Sequence, residues 1–239
     1  MLIQEGDART PQTDERLAWT FAAVAGALNA AGFYAFGFYS SNMTGNVSAL
    51  ADHLGIGEGR LALQALALVA AFVTGAMLAT LLTNAGRRRR LRGVYAYSIF
   101  AEAVLLAVLG VAEPWLTASG RGTLLPLCLS FLLGLQNATV TQITNARVRT
   151  THVTGMVTDI GIGLANLLER HPTIARGKLR LHVVTVVAFL LGGICGVLAY
   201  RLIGTSLLLL AAAALLMMLA LPGITSLRRD GIARMPPMS

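Results

Sequence analysis

This sequence of 239 residues is short of charge: 13% of its residues are Asp, Glu, Lys or Arg, about half the share found in soluble globular domains. A chain that is 55% hydrophobic, with a mean hydropathy of +0.67, has too little polar surface to face water all round. A soluble enzyme, a nucleic-acid binder and a disordered chain are therefore disfavoured. Cysteine is scarce as well. Cys128 and Cys195 both fall inside apolar stretches, which gives neither a disulfide framework nor a metal-ligand spacing. Phosphate-binding glycine loops, nucleophile elbows and paired-His motifs are missing, and His53, His152, His171 and His182 are scattered. An intramembrane hydrolase needs a serine or an aspartate pair on facing helices, and no convincing one is present. The expectation is a non-enzyme with no catalytic residue, no metal and no cofactor.

What is present is a set of long apolar runs. About 20 mostly apolar residues cross the hydrocarbon core of a bilayer, and six windows satisfy this: Leu17–Tyr39, Leu61–Leu82, Gly93–Val111, Thr123–Thr144, Leu181–Tyr200 and Thr205–Leu221. The segment before Leu17 has four acidic and two basic residues and no small-residue cleavage site, so it does not read as a signal peptide. The net charge of +8 acquires a meaning once its cations are placed. Arg9 and Arg16 precede the first span, and five arginines between Arg87 and Arg92 follow the second. Arg147, Arg149, Arg170, Arg176, Lys178 and Arg180 follow the fourth, and Arg228, Arg229 and Arg234 follow the sixth. Those segments share one side and hold sixteen cations; Arg60, Arg121 and Arg201 make three on the other. Because cations collect on the cytoplasmic side, this predicts six spans with both termini in the cytoplasm and removes the case for nucleic acid.

The chain also repeats itself. Gly26-Ala-Leu-Asn29-Ala30 matches Gly134-Leu-Gln-Asn137-Ala138. Asn42-Met-Thr44-Gly45-Asn46-Val47-Ser48 matches His152-Val-Thr154-Gly155-Met156-Val157-Thr158, and Ala71-Phe-Val-Thr-Gly75 matches Ala188-Phe-Leu-Leu-Gly192. Each copy then contains three spans, and two copies with an odd number of spans must lie in opposite orientations, the inverted-repeat plan of many secondary transporters. The expected fold is an all-α polytopic membrane protein of two inverted three-helix repeats. The expected divisions are a polar cytoplasmic tail (1–16), repeat 1 (17–111), a connecting loop (112–122), repeat 2 (123–221) and a basic cytoplasmic tail (222–239). After each Thr-Gly come apolar residues at helical spacing, Val47, Leu50, Leu54 and Val157, Ile160, Leu164, Leu167, in stretches too short to span. These are expected to be half-helices that either dip into the membrane or lie on its surface.

Uncharged polar side chains gather near the Thr-Gly turns. Asn137, Thr141, Thr144 and Asn145 share one face of a helix by spacing, and Asn29 lies mid-span. Such groups serve either as interhelical hydrogen-bonding glue or as the lining of a polar path. The candidate path comprises Asn29, Asn42, Thr44, Asn46, Asn137, Thr141, Asn145, His152 and Thr154. Glu102 is the one acid well inside a span and continues a line with Tyr95 and Ser98. An acid at that depth is a functional candidate by default, here for proton coupling, with a neutral hydrogen-bonded Glu as the structural alternative. Asp159, one turn after Thr154-Gly155, is expected to cap its helix or pair with Arg147 or Arg149. The small residues Ala71, Gly75, Ala79 and Ala188, Gly192, Gly196 are expected to bring spans 2 and 5 together, and Pro114, Pro126 and Pro222 to mark helix ends.

The phrases Ser41-Asn-Met-Thr-Gly-Asn46 and Gly134-Leu-Gln-Asn-Ala138 through Val148-Arg-Thr-Thr-His-Val-Thr-Gly155 resemble the YoaK-like family of uncharacterised bacterial membrane proteins, a domain of unknown function. The resemblance runs from Leu17 to Leu221 and implies a bacterial inner-membrane protein without a settled substrate. Met156 departs from the Asn expected there by analogy with Asn46. The residues together point to a carrier of an unknown small solute working by alternating access in the lipid bilayer, with Glu102 as the group that would couple it to protons. The alternative is a non-transporting scaffold or regulator whose Thr-Gly turns are structural.

Overall fold

A computed structural model describes residues 2, 5–89, 91, 93–169 and 172–232, with the backbone alone at 7, 172–175 and 226–232. Arg90, Arg92, Arg170, His171 and Arg234 lie outside the described residues, as do the side chains of Arg228 and Arg229. The described residues form seven α-helices and no strand: α1 (Pro11–Phe36), α2 (Met43–Gly55), α3 (Gly59–Arg88), α4 (Val94–Ala112), α5 (Ala118–Ile143), α6 (Val153–Leu168) and α7 (Pro172–Ile232). Five stretches are long and apolar enough to cross a membrane, and the chain is an integral membrane protein by that measure.

Local chemistry sets several helix ends. Thr10 caps α1 by accepting the Thr13 N–H, with Pro11 in the first turn, and Gly37 closes the helix in the left-handed region. Thr117 caps α5 in the same way through the Gly120 N–H. Pro126 and Pro222 correct the expectation that proline marks ends, because both lie inside helices. For Pro126 the reason is that α5 starts at the Thr117 cap, before the apolar run that set the expected boundary.

The fifth apolar stretch, Arg176–Thr225, is 50 residues long, about 75 Å at 1.5 Å per residue, more than twice the hydrocarbon core. It is broken at Gly204, whose φ of 76° and ψ of −179° no helix contains. The two arms of α7, 172–203 and 205–232, pack on different helices. The first arm lies along α1, and the second lies along α4, where Gly110 meets Ser206 and Leu210.

Paired residues give the helix directions. Glu15 meets Arg180, Ala23 meets Gly192, Ala27 meets Gly196 and Tyr34 meets Tyr200, so α1 and the first arm of α7 run parallel. Leu68 meets Ser130, Phe72 meets Gly134 and Thr80 meets Gln142, so α3 and α5 are parallel too. Contacts of Asp14 with Arg147 and of Gly32 with Leu129 make α1 and α5 antiparallel. The small residues therefore do not join spans 2 and 5 as expected. A Cβ on Gly26 would collide with the Phe189 carbonyl, and one on Gly134 with the Phe72 carbonyl. Gly192 sits on Ala23 and Gly75 on Phe131 in the same manner. Each small-residue face meets a helix of the other sequence copy, because the matching glycine on that helix removes the opposing side chain and lets the backbones touch.

The packed centre is formed by α1, α4, α5 and the second arm of α7, with Phe21, Leu28, Ile99, Leu106, Leu132 and Leu216 among its fully buried side chains. By contrast, only 22% of the most apolar window of α3 is buried. Its outward Leu63, Leu66, Val73, Met77 and Leu81 make a face that suits lipid. Ion pairs gather the N-terminal segment and the ends of α3, α5 and the start of α7 at one pole: Glu5 with Arg87, Asp14 with Arg9 and Arg147, and Glu15 with Arg180. Glu113, bound to Arg121 and at 2.5 Å to Ser206, closes the opposite pole.

Candidate functional site

The chain leaving α1 and the chain leaving α5 turn back into the bundle. After α1 ends, the Ser41 N–H donates to Asn29 Oδ1 at 2.9 Å. Asn29 lies seven residues before the end of α1 at Phe36, so the chain has descended about 10 Å along α1 before α2 begins. Tyr39 holds the descending segment by stacking on Phe33, with ring centroids 4.0 Å apart. After α5, Thr150 donates to Asn137 Oδ1 at 3.4 Å, a similar return. The repeated Asn is thus a mid-helix acceptor that fixes the depth at which the next helix starts.

The Thr-Gly phrases open α2 and α6. Asn42 accepts the Gly45 N–H at 3.1 Å, and its side chain lies where a Cβ of residue 45 would stand. His152 occupies the matching place over Gly155, but no side-chain hydrogen bond caps α6. Glycine is needed in both copies because the side chain three residues earlier folds over it.

These two helix starts line one cavity of about 670 Å³. Of the nine candidate path residues, seven line it: Asn29, Asn42, Thr44, Asn137, Thr141, His152 and Thr154. Asn46 does not. It is buried and donates to the Tyr39 carbonyl at 3.1 Å, tying α2 to the loop before it. Its counterpart Met156 is also buried, so apolar packing replaces that tie in the second copy. Asn145 is displaced as well. The helix ends at Ile143, and Asn145 and Ala146 take left-handed φ of 50° and 62°, which carries Asn145 off the stripe and into a second cavity. Thr144 turns inward, accepting the Val148 N–H at 3.1 Å and donating to the Val140 carbonyl.

The second cavity, about 1030 Å³, lies at the pole of the N-terminal ion pairs. Its acids are matched: Asp14 with Arg147 at 2.8 Å, Glu15 with Arg180 at 2.6 Å, and Asp159 with Lys178 at 3.1 Å. The expected pairing of Asp159 with Arg147 or Arg149 is therefore corrected. The first arm of α7 lies beside α6 and supplies Lys178 and, at 3.4 Å, His182, whereas Arg147 reaches Asp14 on α1. The Lys178 ammonium, hydrogen-bonded to Asp159, holds that carboxyl below the usual range. Arg149 and His152 line both cavities and form the wall between them.

Glu102 lies elsewhere. It is fully buried, accepts the Gln136 amide at 2.8 Å, and does not line either cavity. The polar line expected along α4 divides into separate pairs, since Tyr95 donates to Glu5 and Ser98 to the Val94 carbonyl. Sequence reasoning missed Tyr39, Gln142 and the pair Phe72 and Phe189 as cavity lining. The phenylalanines were within reach, because both stand at the second position of the repeated Ala-Phe-x-x-Gly phrase.

The fold and the cavity define a multi-pass, all-helical membrane protein with a polar interior bounded by two inward-starting helices. Over residues 17–221 the chain matches the model of a family described as Protein of unknown function (DUF1275) and belongs to it. That match bears out the resemblance to an uncharacterised family. No curated protein and no solved structure matches the chain.

Proposed function

We propose that the chain is a six-crossing inverted-repeat carrier that moves a small polar solute across a bacterial inner membrane by alternating access, with both termini in the cytoplasm. The observation that carries this reading is the single cavity lined by both Thr-Gly helix starts. Carriers built from inverted repeats bind at the repeat interface, near the midplane, between interrupted helices whose ends face the solute. Supporting it are the break at Gly204, which divides an over-long stretch into two crossings, and the antiparallel course of α1 and α5. The exchanged packing of matching glycines also fits a pseudo-twofold axis between the copies. The pairs Asp14–Arg147 and Glu15–Arg180 at the cytoplasmic mouth join α1 to the other copy, so breaking and remaking them is a means of gating. Glu102 stands outside this path and acts as a hydrogen-bonded strut between α4 and α5.

The test is thiol accessibility. In a background with Cys128 and Cys195 replaced by Ser, Thr44→Cys and Thr154→Cys are labelled with a membrane-impermeant maleimide in sealed vesicles of each orientation. Alternating access makes each position reactive from both faces, and crosslinking the cytoplasmic mouth abolishes labelling from that face while sparing the other. Reactivity from one face only, in every condition, sinks the carrier reading.

A further inference from the structure

The charge inventory of the central cavity is one-sided. Among the described residues no carboxylate lines it, and its two ionisable contributors besides Tyr39 are Arg149 and His152. In the neighbouring cavity Asp14, Glu15 and Asp159 each have a cation of their own. Arg149 is exposed, has no ion pair or side-chain hydrogen bond among the described residues, and stands in the wall between two cavities. An arginine left over where the nearby acids are already engaged marks a place for an anion from outside the chain.

The lining also holds groups that can donate, beside the apolar Phe72 and Phe189 and amides such as Gln142, whose buried Oε1 has no hydrogen-bond partner among the described residues. Thr44 and Thr154 bring hydroxyls, and the first N–H groups of α2 and α6 have no partner within their own helices. Those helix starts carry about half a positive charge each. The two copies differ in a telling way. At the positions of Tyr39 and Asn42 in the first copy, the second copy has Arg149 and His152. A neutral solute would leave this arginine and both dipole ends unmatched, and a cation would find no carboxylate.

Resting on the carrier reading for its route, we propose that the central cavity binds a small oxyanion, a carboxylate, phosphate or related group, between the starts of α2 and α6 with Arg149 as its counter-charge. Planar oxygen pairs suit a guanidinium, and the remaining oxygens meet backbone N–H and threonine donors.

The experiment uses the full chain purified in detergent. Its thermal midpoint is followed against sodium acetate, nitrate, sulfate and inorganic phosphate, with sodium chloride holding ionic strength constant and urea and glycerol as neutral comparators. At least one oxyanion is expected to raise the midpoint saturably. Arg149→Gln is expected to weaken its apparent affinity about tenfold or more, and Arg149→Lys to retain part of it. Arg149 is exposed and has no partner among the described residues, so its variants are expected to fold; Thr154→Val, which removes a donor from the same place, is a second probe. If none of the four oxyanions protects, or protection is unchanged in both Arg149→Gln and Thr154→Val, the oxyanion site is overturned. Proteoliposomes loaded with the protecting anion separate the two readings. Binding without exchange overturns the carrier and leaves the site, whereas Arg149-independent exchange of glycerol or urea overturns the site and leaves the carrier.

Discussion

At the scale of single residues, the helix pairs are held by what glycine lacks. A Cβ on Gly26 or Gly134 would enter the backbone of the facing helix, and the obstacle is a carbonyl, which cannot rotate away as a side-chain tip can. Gly161, in α6, faces open space. Gly26→Ala and Gly134→Ala are expected to lose about 1–3 kcal/mol by overpacking. Gly161→Ala is expected to gain up to about 1 kcal/mol from helix propensity. Thermal or chemical unfolding in detergent compares the three, and equal effects would mean that the contacts are not as tight as described. Glu102 gives a second residue-scale expectation. Glu102→Gln keeps an amide acceptor for Gln136, whereas Glu102→Ala strands a buried amide and costs about 1–3 kcal/mol. Because Glu102 lies off both cavities, solute flux and its pH profile in proteoliposomes are expected to be unchanged in Glu102→Gln. A flattened pH profile would return Glu102 to the mechanism. Its partner was unreadable from sequence, since Gln136 is 34 residues away on another helix and no spacing rule links the two.

At the scale of elements, α2 and α6 are the same device with different caps. Asn42 holds the Gly45 N–H, while His152 leaves the start of α6 without a side-chain cap. Asn42→Ala should therefore cost about 1 kcal/mol, and His152→Asn should recover a similar amount by restoring the missing hydrogen bond. The measurement is the unfolding midpoint of each variant; a loss of stability in His152→Asn would show that the ring's packing over Gly155 outweighs the missing bond. The long helices themselves were readable because apolar runs of span length are local features, whereas the start of α5 at its Thr117 cap, ahead of the apolar run, was not read. Two element-level properties were not. Which helix a small-residue face meets depends on the matching glycine of the other copy, and the repeat alone allows α3 to face either α5 or α7. The end of α5 fell within one residue of the expected Thr144, but Asn145 was wrongly placed on its face, because Asn145 and Ala146 leave the helix in left-handed conformations while the spacing of Asn137, Thr141 and Asn145 continues past the point where the backbone stops being helical.

At the scale of the whole molecule, the distribution of cations and the break at Gly204 make one prediction between them. If α7 crosses once, the C-terminal arm lies on the side opposite the N-terminal ion-pair pole; if it crosses twice, it returns to it. The contacts of α4 favour the second course, because Gly110 and Glu113, near the end of α4, meet Ser206 just after the break. The second arm then runs back along α4 toward Tyr95 and Arg87, where Glu5 binds both. Glycine is required at the turn, since φ of 76° with ψ of −179° is strained for any residue with a Cβ. Gly204→Val is expected to cost about 1–3 kcal/mol and to leave a population in which the last arm fails to return. Reporter tags at the two ends read this directly. In the native chain both tags are expected to be reachable only from the cytoplasmic face, and in Gly204→Val a fraction of the C-terminal tag is expected to become reachable from outside. A native C-terminal tag on the outer face would remove the sixth crossing and, with it, the odd number of spans per copy on which the inverted repeat depends.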